Sequence, residues 1–126
     1  MEVEPEFLYY LHDAQLHGVQ FDLATEDRNL VFTATYHEDC GLASVAGKTV
    51  KLTAEDITIF HSHMYGAVRG LETIDFCDLS VSDKVAAELE KFSRMGGRVP
   101  KVRFSISTHS GSVWEIMCES LSLQTL

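Results

Sequence analysis

Six histidines are scattered along this 126-residue chain, and their spacing decides what chemistry the sequence offers. His61-Ser62-His63 is the tightest pair. On a strand, residues two apart point to one side, so two imidazoles could grip one metal ion there. A third ligand would have to come from His12, His37, His109 or a carboxylate, because the first Glu after the pair is Glu72. Two histidines alone are only half of a metal site. His12-Asp13, with His17 close by, is the second constellation. An Asp orients a His as a general base, but the side chains of adjacent residues diverge. The expected role of Asp13 is therefore to cap or brace the turn that feeds the first strand. His37-Glu38-Asp39-Cys40-Gly41 sets a thiol beside two carboxylates. Such neighbours disfavour a thiolate, so Cys40 is not expected to act as a nucleophile. Ser110-Gly111-Ser112 lies in a hairpin turn and lacks the strand-turn-helix setting of a nucleophile elbow. The sequence contains no phosphate loop, dinucleotide fingerprint or basic aromatic patch. No catalytic residue is assigned.

Charge carries more functional content. Ten Lys and Arg oppose 19 Asp and Glu, for a net charge of −9. Such a balance repels nucleic-acid backbones and anionic membrane surfaces and attracts a basic protein. Glu26, Asp27, Glu38 and Asp39 fall at expected loop tips and are the candidate partner-binding acids. No apolar run approaches the roughly 18 residues that span a bilayer. The acidic start, Glu2-Val3-Glu4-Pro5-Glu6, lacks the basic-then-apolar order of a signal peptide, so a cytoplasmic location is expected. The three cysteines, Cys40, Cys77 and Cys118, are odd in number and far apart. They read as small core hydrophobes rather than a disulfide framework.

These residues must be positioned by a mostly β framework in one domain, 1–126. Val102, Phe104 and Ile106 alternate with Arg103, Ser105 and Ser107. After a polar turn at His109–Ser112, Trp114, Ile116 and Cys118 alternate again. A period of two on both sides of a turn predicts a hairpin. Leu30, Phe32, Ala34 and Tyr36 predict an earlier strand, paired with one through Val19, Phe21 and Leu23. Further strands are expected over 47–53 and 56–61, with a turn at Ala54-Glu55, and over 71–77. The phase jump from Cys118 to Leu121 predicts a bulge near Glu119-Ser120. A helix is predicted over about 82–95. Ser82 is its N-cap, Val85, Leu89 and Phe92 form its apolar stripe, and Gly96-Gly97 ends it. Phe7–Leu11 predicts a short helix or a lid. The sum is an α+β domain: an antiparallel curved sheet or partly open barrel of about seven strands. Its open face would be closed by the one main helix.

Leu11-His12-Asp13-Ala14-Gln15-Leu16, followed by Val19-Gln20-Phe21-Asp22 and a hairpin, resembles small bacterial domains with a near-N-terminal "HDA". Their C-terminal hairpin often carries Ser-Gly-x-x-x-x-Ile, here Ser110-Gly111-Ser112-Val113-Trp114-Glu115-Ile116. Some of these domains are grouped with the immunity proteins of polymorphic toxin systems. The resemblance implies a small β-rich fold and a binding role, and it implies no catalytic residues. The sequence thus reads as a non-enzymatic cytosolic binding protein, in its most specific form an immunity-like protein occupying a basic partner's active site. A metal-binding protein or metal-dependent enzyme built on His61 and His63 is the alternative. No cofactor is expected otherwise. Self-association through a sheet edge is a third possibility.

Overall fold

A computed structural model describes residues 5–22, 28–63, 72–97 and 99–126. A short helix, α1 (Pro5–Tyr9), precedes strands β1 (Gln15–Asp22), β2 (Asn29–Thr35), β3 (Thr49–His63) and β4 (Glu72–Asp78). Helix α2 (Asp83–Arg94) follows, and then β5 (Val102–Thr108) and β6 (Val113–Thr125). Every pairing is antiparallel, and the strands close into a barrel in the order β1-β2-β3-β6-β5-β4. No helix among the described residues is long and apolar enough to cross a membrane.

The architecture is the expected antiparallel β-rich one, with two corrections. The sheet is closed rather than partly open, and among the described residues its barrel has six strands. The segments 47–53 and 56–61 belong to one long strand, because the expected turn at Ala54-Glu55 is a bend. Asp56 adopts φ 54°, a left-handed conformation that a short polar side chain tolerates. Its backbone N–H donates to Asn29 Oδ1 at 3.2 Å, and the Ile57 N–H donates to the Arg28 carbonyl at 2.8 Å. β6 follows the bend without losing register: Leu121 faces Ala54 and Cys118 faces Ile57. All four are buried. The expected bulge at Glu119-Ser120 is therefore absent, and the apolar phase changes because both strands bend together. Bulges occur elsewhere. Register shifts leave His17 on β1, Thr58 on β3 and Asp75 on β4 as extra residues. Such insertions add the local twist and bending that let a six-stranded sheet close on itself.

The alternating strands fill the interior. Phe32 packs edge-to-face against Phe104 and Trp114, with centroids 5.9 and 6.1 Å apart. All three are buried among Leu30, Leu52, Ile106 and Ile116. α1 plugs the end where β1 begins and β2 finishes: Leu8 and Leu11 join the same core, beside Tyr36 and Val45. The Tyr36 hydroxyl donates to the Phe7 carbonyl at 2.6 Å. Burial, with the Cys77 and Cys40 thiols nearby, pushes the Tyr36 hydroxyl well above its ordinary pKa.

α2 forms as expected. Ser82 caps it by accepting from the Val85 N–H, Val85 and Leu89 are buried, and Gly96 follows its C-cap at φ 82°. Its place differs from the expectation. A barrel closes its own inner face, so α2 lies on the outer wall, where Val85 and Leu89 cover Met117 with Val81 at the margin.

Candidate functional site

The seam that closes the barrel is its shortest pairing. β1 and β4 meet only at Gln15↔Thr73 and Leu16↔Glu72. Just before the seam the chain makes two unusual moves. Asp13 adopts φ 66°, and its N–H donates to the Ile74 carbonyl at 2.8 Å. Across from it, the bulge at Asp75 breaks the alternation of β4. Ile74 and Cys77 point inward, while Asp75 and Phe76 both point outward. A bulge re-aims side chains in this way wherever one extra residue is inserted.

The outward-turned residues line a cleft of about 370 Å³ between α1, the loop after β2 and β4. Tyr9, Tyr10, His12 and Asp13 come from the α1 side, His37, Asp39 and Cys40 from the loop, and Asp75, Phe76 and Cys77 from β4. The loop approaches α1 closely because residue 41 is glycine. At φ 97°, a Cβ there would lie 3.1 Å from the Tyr10 ring. A second cleft of about 530 Å³ adjoins the first, shares Asp13 and His37 with it, and adds Glu38, Gln15 and Thr73.

Asp13 is the hub. Its Oδ2 lies 3.2 Å from His12 Nδ1 and its Oδ1 lies 3.3 Å from His109 Nε2. His109 Nδ1 is 3.7 Å from Asp75 Oδ1, and the His109 N–H donates to the Thr73 carbonyl at 3.0 Å. On the far bank, His37 Nδ1 accepts from the Asp39 N–H at 3.0 Å. Tyr9 and Tyr10 stand at 83° to one another with centroids 5.2 Å apart. Tyr9 is 72% exposed and Phe76 53%, so both aromatic side chains are open to a ligand.

The chemistry on offer is recognition of positive charge. Asp13, Asp39, Asp75 and Glu38 line the two clefts, and among the described lining residues there is no Lys or Arg. An Asp holding an imidazole is half of a general-base arrangement. Of the two thiols in the same cleft, Cys77 does not complete a nucleophilic one. Burial, assisted by Asp78, pushes Cys77 up to about 12, so it stays a thiol near neutral pH.

Of the residues singled out in the sequence, Glu38 and Asp39 line these clefts, while Glu26 and Asp27 lie outside the described residues. His61 and His63 line neither cleft. His61 Nε2 instead meets Glu88 Oε2 on α2 at 2.7 Å. Beside it, Glu115 accepts from the Ser82 hydroxyl at 3.0 Å and from the Ser82 N–H. Among the described residues, no three His, Cys, Asp or Glu side chains come together in a way that could hold a metal ion. Asp13 lies in the turn before β1, where its backbone N–H rather than its carboxylate ties the turn to Ile74, and the carboxylate pairs with its neighbour His12, against the expected divergence. Asp75, Phe76 and the tyrosine pair are the cleft residues that sequence reasoning missed. His109, which the sequence offered only as a possible metal ligand, lines neither cleft and instead meets Asp13 and Asp75 beside them.

No protein-family model matches the chain, and neither a curated protein nor a solved structure is significantly similar to it.

Proposed function

We propose that this chain is a non-enzymatic binding protein that docks a basic protein partner on the plugged end of its barrel. One observation carries the reading: four carboxylates line two adjoining clefts that contain no described Lys or Arg. The net charge of −9 would steer a basic partner toward the chain from a distance. Exposed aromatic rings beside the carboxylates add the apolar area that a specific contact needs. In its most specific form the partner is an enzyme in the same cytoplasm whose basic active site this end covers, as the resemblance to immunity proteins implies.

The test is affinity capture on the immobilised chain, alongside an Asp13→Asn/Asp39→Asn/Asp75→Asn variant. A basic protein held by the native chain, released by about 0.5 M salt and not held by the variant, supports the reading. Capture that ignores both salt and the substitutions removes it.

A further inference from the structure

We infer that the cleft between α1 and the β4 bulge receives a single alkylammonium group, carried by a lysine side chain of the partner. This deepens the proposed function and rests on it for the carrier of that group. Three features converge. Tyr9 and Tyr10 meet at 83° and give the cleft two differently oriented rings, and Phe76 adds a third, 53% exposed, from β4. Aromatic faces attract organic cations through their quadrupole, most strongly where several rings surround one charge. Asp39 and Asp75 add formal negative charge on separate elements lining the same cleft. The volume of about 370 Å³ admits one side chain and not a folded segment.

The carboxylate geometry favours ammonium over guanidinium. A guanidinium is best held by a carboxylate that offers both oxygens in parallel. Both oxygens of Asp13 are engaged, one by His12 and the other by His109. One oxygen of Asp75 already faces His109 at 3.7 Å. Asp39 is the cleft carboxylate without such a commitment among the described contacts, and it stands on a different element from Asp13 and Asp75. Acceptors spread over separate elements in this way suit a compact charge with three rotatable donors on a flexible apolar stem, which can lie along the rings.

The β4 bulge is what makes the arrangement possible. With regular alternation, Asp75 and Phe76 would face opposite sides of the sheet. The extra residue turns both outward, so the charge and the ring that a lysine needs stand side by side.

The test is a two-dimensional NMR titration of the full chain with Nα-acetyl-lysine methylamide. The matching arginine and norleucine amides run in parallel. The expected result is saturable shifts confined to amides of residues 9–13, 37–40 and 74–77. The lysine amide should bind at least three-fold tighter than the arginine amide, and norleucine should produce no saturation. Phe76→Leu should weaken lysine binding about two- to five-fold, and Asp75→Asn by a similar factor. Both residues are exposed, so the native spectrum should persist elsewhere. Shifts scattered over the surface, equal binding of arginine, or indifference to both substitutions would overturn the inference. If lysine fails to bind while a basic protein is still captured in a salt- and Asp-dependent way, the inference falls and the proposed function stands. Binding of the lysine amide without any captured protein keeps the site and removes its protein carrier.

Discussion

Replacing Phe32 by Leu tests whether the barrel is closed around its aromatic centre. Phe32 is 1% exposed and makes two edge-to-face contacts, with Phe104 at 5.9 Å and Trp114 at 6.1 Å. Each such pair contributes about 0.5–1.5 kcal/mol beyond the area it buries. The change of shape adds about 1 kcal/mol of imperfect repacking. The expected loss is about 2–4 kcal/mol. With a urea dependence of about 2 kcal/mol per molar, the unfolding midpoint should fall by roughly 1–2 M. Trp114 is the chain's single tryptophan and is buried, so its fluorescence reports unfolding directly. Far-ultraviolet circular dichroism provides a second probe that is independent of the Phe32 contact. Phe76→Leu is the matched control. It is the same chemical change on an exposed ring and should cost under about 0.5 kcal/mol. Midpoints that are the same for Phe32→Leu and Phe76→Leu would refute the closed, aromatic-centred interior.

Three further outcomes are expected. Ser82→Ala removes the cap of α2 and the hydroxyl bond to Glu115 together, leaving the backbone N–H bond to Glu115 in place, and should cost about 1–2 kcal/mol in the same urea assay. Retention of full stability would mean that α2 docks without its cap. A double-mutant cycle of His61→Ala and Glu88→Ala should give a coupling below about 1 kcal/mol, because both side chains are part-exposed. A coupling above about 2 kcal/mol would contradict that placement. Alkali should destabilise the fold. Burial raises Cys77 and Cys118 from 9.0 to about 12, so between those values the unfolded chain has lost thiol protons that the folded one retains. Stability is then fully present below pH 9.0 and falls as pH rises toward about 12. Melting temperatures across that range should drop, and Cys77→Ala with Cys118→Ala should flatten the decline. An unchanged slope in the double variant would place the lability elsewhere.

Elements governed by local periodicity were legible in the sequence. Leu30, Phe32, Ala34 and Tyr36 are buried as their alternation requires, and so are Phe104, Ile106, Trp114, Ile116 and Cys118. Helix α2 announced itself through Ser82, its apolar stripe and Gly96. What escaped depends on contacts between distant segments or on single dihedral angles. Ala54-Glu55 reads as a turn between two strands, yet one left-handed angle at Asp56 turns that strand break into a bend. Closure rests on Gln15↔Thr73 and Leu16↔Glu72, pairs that no local pattern marks. Asp13 meets His109, 96 positions later, and shares the cleft with Asp75, whose outward aim depends on a bulge. Ile74-Asp75-Phe76-Cys77 reads as plain alternation until that extra residue is counted. Glu38 and Asp39 were found because acids beside a glycine make an exposed loop whatever the remainder of the fold does.

The short pairing between β1 and β4 has a consequence for how the molecule behaves in a crowd. A cylinder of strands offers neighbours nothing to pair with, but this one is joined along only two residues of each strand. Below that join, β4 is screened by α1, which packs against it. The five-residue helix is thus a guard as well as a plug. A chain shorn of it would bare a ribbon of unsatisfied amides and carbonyls, and its copies would zip together through β4.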